Sequence, residues 1–218
     1  MLSQPGFGNL RRSLPKWLWS AVVVLVGMHI AASIVHFRIT GLPCHTRELF
    51  DLEENESFGQ YFMTMILLFA GLLVLYHARR LREQDRATGI LWLMLGVGFC
   101  VLSVEKVAGV HQIISSWAPV SWTALGATVA VLVGIAYVPF LLRLPASTRN
   151  LFIAAGALYL AGSIGIDFAA KWLPGTAVYD PCFDRMASLG IGLTTAIENA
   201  MEMSGMVLFI NAMINIEA

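Results

Sequence analysis

An all-α bundle of six transmembrane helices, with both termini cytoplasmic, is the architecture this sequence predicts, and three observations carry it. Hydrophobic residues make up 57% of the chain and charged ones only 13%, with a mean hydropathy of +0.71. A soluble domain of this size carries roughly twice that charge. Six apolar stretches each reach the roughly 20 residues needed to cross a hydrocarbon core. Lysine and arginine crowd the connections on one side of the bundle, as the positive-inside rule requires.

The first stretch, about Trp17 to Phe37, follows a short basic segment, residues 1–16, that holds Arg11, Arg12 and Lys16. Its apolar run exceeds the roughly 7 to 15 residues of a signal-peptide core, and Ala31, Ala32 and Ser33 lie inside it rather than after it, so it reads as a retained helix. An acidic loop with Glu48, Asp51, Glu53, Glu54 and Glu56 leads to the second stretch, about Phe58 to Ala78. Arg79, Arg80, Arg82 and Arg86 then separate it from the third, about Gly89 to Val110. The fourth, about Trp122 to Leu144, ends at Arg143, and Arg149 precedes the fifth, about Leu151 to Trp172. The sixth runs from about Leu189 to Met213. The connections are short and carry proline, glycine or charge, so residues 17–215 read as one domain.

These nine basic residues fall on one side; the other receives Arg38, Arg47, Lys106, Lys171 and Arg185. The first side is therefore expected in the cytoplasm, with the chain in the cell inner membrane. The arginine cluster at 79–86 is a topology signal and lipid headgroup contact, with no nucleic-acid partner implied.

Glu105, Asp167, Glu198 and Glu202 sit within these apolar stretches. A charged side chain there costs from about 2.5 kcal/mol upward unless paired, protonated or hydrated, so each acid marks a candidate site. Thr194, Glu198 and Glu202 follow at i, i+4, i+8, with Gly205 continuing the stripe, and Tyr159, Ser163 and Asp167 repeat the pattern. His36 and His111 fall at the outer ends of their helices. At 1.5 Å per residue, Glu105 and Asp167 lie roughly 8 Å inside the outer boundary, Glu198 roughly 14 Å, and Glu202 near the midplane. These groups can converge in the outer half of one bundle. Glu198 is the expected ligand or proton acceptor, with Glu202 its buried neighbour.

Carboxylates with one or two imidazoles suit a divalent zinc, manganese or iron ion. Without a metal, crowded acids share protons, or serve as a neutral knot that holds helices together. A haem is disfavoured: His29 and His36 share one helix face and would need partners elsewhere. Cys44 and Cys182 both fall in outer loops, where a disulfide is permitted. No phosphate-binding glycine loop, nucleophile elbow or zinc-protease motif occurs.

The stretches LFDLEENE (Leu49 to Glu56), SVEKVAGVHQ (Ser103 to Gln112), RLPASTRNLFIAAGALYLAGSIGID (Arg143 to Asp167) and TTAIENAMEMSGMVLFINAM (Thr194 to Met213) resemble motifs of a group of uncharacterised bacterial multi-pass membrane proteins. The resemblance implies six helices around a shared polar site that includes Glu105 and His111. Lys106, Gln112 and Asn199 stand where that group carries further acids, so Lys106 beside Glu105 can take the place of a cation. Two classes of function follow. One is a membrane-embedded protein that binds a metal or protons, as a hydrolase or oxidoreductase; the other is a non-catalytic accessory subunit of a larger membrane complex. The implied surroundings are the lipid bilayer and a membrane-protein partner or second copy.

Overall fold

Two side-chain caps start the central hairpin. Ser57 Oγ accepts a hydrogen bond from the Gln60 amide at 3.2 Å and opens α3 (Phe58–Arg82). Asp85 accepts from the amides of Ala87 and Thr88 and opens α4 (Arg86–Ala108). Both residues satisfy amides that a helix N-terminus leaves without an internal partner. The computed structural model describes residues 5–36, 43–52, 54, 56–83, 85–109, 122–166 and 185–216. Its other helices are α1 (Pro5–Ile34), α2 (Cys44–Glu48), α5 (Trp122–Arg143), α6 (Ala146–Leu160) and α7 (Arg185–Ile216). A π-helical segment, Ala161–Ile166, continues α6. Among the described residues there is no strand.

Five of these segments are long and apolar enough to cross a membrane: Ser13–Ile34, Phe58–Arg82, Arg86–Ala108, Ala124–Arg143 and Ala146–Ile166. They correspond to the first five stretches predicted. α7 differs. Its 32 residues span about 48 Å, but Glu198, Asn199, Glu202, Asn211 and Asn215 keep it from the apolarity of the rest. It is instead an enclosed helix: Ala196, Met203, Met206, Val207, Phe209, Ile210, Ala212 and Met213 are all buried.

The most extensive pairing joins α3 to α4, and α7 packs against α6 with its π-helical extension, against α1 and against α3. Among the described residues α5 makes its main contacts with α6 and the π-helical segment, and little of its apolar span is fully buried. Tyr137 of α5 donates a hydrogen bond to the Leu91 carbonyl at 2.8 Å, so the α3–α4 turn and the α5–α6 turn lie at one end. That end collects Arg79, Arg80, Arg82, Arg86 and Arg143.

Just inside the basic end, Trp92 is buried and meets His77, Phe140 and Phe152 edge-on, with ring centroids 4.8, 5.0 and 5.9 Å away. Phe152 in turn stacks on Phe209 of α7 at 4.8 Å. Lipid tails are as apolar as these side chains, so close van der Waals fit, rather than escape from water, holds such a cluster together within a bilayer. The polar groups gather in the opposite half.

Candidate functional site

The site begins with two glycines that let helices touch backbone to backbone. A Cβ at Gly162 would stand 2.7 Å from the Glu198 carbonyl oxygen, and one at Gly205 would stand 2.7 Å from the Ala155 carbonyl oxygen. Any side chain at either position would force α6 or the π-helical segment away from α7. This contact brings Tyr159 to α7, beside Gly205, and sets Gly162 against Glu198 and Glu202.

α4 approaches the same face with its last turn. Gln60 Nε2 donates to the Lys106 carbonyl at 2.8 Å, and the Gly109 amide donates to the Glu105 carbonyl at 2.9 Å. The two bonds satisfy carbonyls that a helix C-terminus leaves open, and Gly109 does so in the left-handed conformation (φ 57°). Glu105 and Lys106 are thereby fixed at the edge of the bundle. Ser103 Oγ, which donates to the Thr64 carbonyl at 2.9 Å, ties the preceding turn of α4 to α3.

Lys106 extends from that turn to α7, placing its Nζ 3.1 Å from Glu202 Oε2. The carboxylate side chain is only 4% exposed, the ammonium side chain 25%. Glu105 and Glu198 stand close enough for their charges to act on the same ammonium. The charges of Glu202 and Glu105 also reach the hydroxyl of half-buried Tyr159. Three carboxylates, one ammonium and one phenol thus share a single electrostatic environment.

Of the residues selected from sequence, Glu105, Lys106, Tyr159, Glu198 and Glu202 therefore converge. Lys106, expected to serve its neighbour Glu105, pairs directly with Glu202. Asn199 is buried and donates to the Thr195 carbonyl at 3.0 Å, while Thr194 donates to the Gly190 carbonyl at 3.0 Å. Both side chains thus bond their own helix. Ser163 is half-buried on the π-helical segment, and His36 is half-buried just beyond α1. His111 and Asp167 lie outside the described residues, and so does Cys182, the proposed partner of Cys44. Among the described residues no three histidine, cysteine or carboxylate side chains are grouped to hold a metal ion.

A second polar cluster, not selected from sequence, lies between α1, α7 and the segment joining α2 to α3. His29 is 1% exposed and sits 2.9 Å from the Gly192 carbonyl through Nε2. Its Nδ1 faces Asp51, whose other carboxylate oxygen accepts a 2.6 Å bond from buried Arg47. The available signals were two i, i+4 pairs, His29 with Ser33 and Arg47 with Asp51. The second was obscured by its place in a loop that reads as solvated and acidic.

Membrane-length apolar helices around a buried, charged cluster define the class as a multi-pass membrane protein. The chain belongs to the family described as a domain of unknown function, DUF8692, which matches residues 17–215. No curated protein and no solved structure matches it.

Proposed function

We propose that this chain is a six-helix protein of the inner membrane, with both termini cytoplasmic and α7 as its sixth span, whose lysine–carboxylate cluster binds and exchanges protons. The observation that carries this reading is the gathering of three carboxylates around Lys106. One ammonium pairs with Glu202 at 3.1 Å while Glu105 and Glu198 act on it as well. Each charge gathered there is costly inside a membrane. Carboxylates crowded in this way share protons. Lys106 already stands as a cation against Glu202, which favours protons over a metal.

Such a group serves as a relay, or as the coupling site of a proton-linked membrane process. Infrared difference spectroscopy of the full chain in lipid, with hydrogen–deuterium exchange, tests it. A protonated carboxylic-acid band that shifts in deuterium oxide, and that disappears in Glu105→Gln or Glu198→Gln, supports the reading. No such band in the wild-type protein would sink it. Stoichiometric zinc, manganese or iron that is lost in Glu198→Gln would point to a metal centre instead. Loss of folding in every variant without any acid band would identify a packing knot, as suits an accessory subunit.

A further inference from the structure

His29 is the buried titratable group that the lysine–carboxylate cluster leaves unused. Its Nε2 lies 2.9 Å from the Gly192 carbonyl, and since a carbonyl only accepts, that nitrogen carries a proton. Nδ1 has two backbone neighbours of opposite character. The Leu52 amide points to it as a donor at 3.3 Å, and the Phe50 carbonyl stands as an acceptor at the same distance. Asp51 Oδ1 is 3.8 Å away.

A ring nitrogen in that position is satisfied in two states. Unprotonated, it accepts from Leu52; protonated, it donates to Phe50 with a carboxylate alongside. Neither state requires the ring to turn, because Nε2 keeps its bond to Gly192 in both. A structural histidine held by one donor and one acceptor is locked into a single tautomer. His29 has one partner more than that.

The surrounding charges fit the same role. The segment between α2 and α3 presents Asp51, bound to Arg47, so the pair is neutral and the carboxylate remains near Nδ1. α7 presents the Gly192 backbone at this contact, and α1 adds the hydroxyl of Ser33 one turn from His29. In the same segment Glu54 and Glu56 are exposed.

We propose that His29 is a second proton-binding site of this bundle, taking up and releasing a proton at Nδ1 with the fold unchanged. In the uptake step a hydronium ion gives its proton to the Nδ1 lone pair and leaves as water. The Leu52 amide loses its acceptor and the Phe50 carbonyl gains a donor. The site is distinct from the lysine–carboxylate cluster: Gly192 and Glu202 are ten residues apart, about 15 Å along α7. It rests on its own geometry and stands whether or not the acids exchange protons.

The test is nitrogen NMR of full-length protein labelled with 15N-histidine in lipid nanodiscs, with His29→Gln identifying the signal. If that variant does not fold, the signal is assigned by through-space transfer to a 13C-labelled Gly192 carbonyl. As the pH is lowered, Nδ1 should pass reversibly from the unprotonated to the protonated form while the backbone signals stay in place. Asp51→Asn should weaken proton binding by about tenfold, since an opposite charge within roughly 4 to 6 Å favours the cation. An Nδ1 that stays unprotonated until the protein unfolds would overturn the proposal, as would an unchanged affinity in Asp51→Asn.

Discussion

Lys106→Met and Glu202→Gln break the same 3.1 Å contact but should differ in cost. Removing one partner of a buried ion pair destabilises by about 3–5 kcal/mol, because the other charge stays buried without compensation. The Glu202 side chain is 4% exposed and Lys106 25%. Lys106→Met therefore strands the deeper charge and also leaves Glu105 and Glu198 near it, so about 3 kcal/mol is expected, the lower end because one side of the pair is partly exposed. Glu202→Gln leaves an ammonium that is less enclosed and that Glu105 and Glu198 still attract. Its cost should be near that of one hydrogen bond to a charged group, about 1.5 kcal/mol. The double variant should cost less than the two single changes together, since most of the Lys106→Met penalty disappears with the Glu202 charge. Equilibrium unfolding of the four proteins in mixed micelles measures all three values. A Lys106→Met variant within about 0.5 kcal/mol of wild type, or strict additivity in the double variant, would refute the reasoning.

The glycine contacts predict a sharp contrast. Gly205→Val and Gly162→Ala should each cost about 1–3 kcal/mol, as overpacking does, whereas Gly98→Ala and Gly134→Ala, which face open space, should leave thermal unfolding unchanged or raise it slightly. At the basic end, the Thr88 hydroxyl first, and then the Thr88 amide, hold the Asp85 carboxyl below the usual carboxylate range. The cap should therefore be intact above that range and lost as the pH falls through the lowered value. Hydrogen exchange at Ala87 and Thr88 should accelerate in that acid window for wild type and show no such step in Asp85→Asn. Reporter fusions after Ile39 and Pro174 should register the exterior of the cell; a cytoplasmic signal at either would contradict the proposed topology.

The helices were legible because run length and local signals act on the chain directly. Ser57 places the start of α3 at Phe58, as the apolar run does, whereas α6 begins at Ala146, right after Pro145 and ahead of the apolar run read from Leu151. α7 is the exception: a run-length reading accepts it as a sixth span, yet its glutamates and asparagines are tolerated only because neighbouring helices enclose it. The cluster was half legible. Helical spacing puts Glu198 and Glu202 near one another, and the cost of charge in lipid sends both inward. That Glu202 rather than Glu105 takes Lys106 depends on how closely helices approach at Gly162 and Gly205, which no spacing rule contains. The stripe through Tyr159 and Ser163 assumed 3.6 residues per turn, but the chain turns π-helical from Ala161 to Ile166, which changes the phase there; Asp167 lies outside the described residues. Asp51 and Arg47 were hidden for another reason: burial of a loop follows from what packs over it, not from its composition.

The shallow burial of α5 sets how freely each part of this chain can drift. Among the described residues, Tyr137 ties its end to α4, Phe140 packs on Trp92 and Leu141 meets the core, while most of its other side chains are exposed. A saturation library read out by surface expression should therefore divide the protein into two regimes. Along α5 almost any apolar residue would pass, while along α7 the size of each side chain from Glu198 to Met213 would be selected. The information that specifies this membrane protein is concentrated in the helix least suited to lipid.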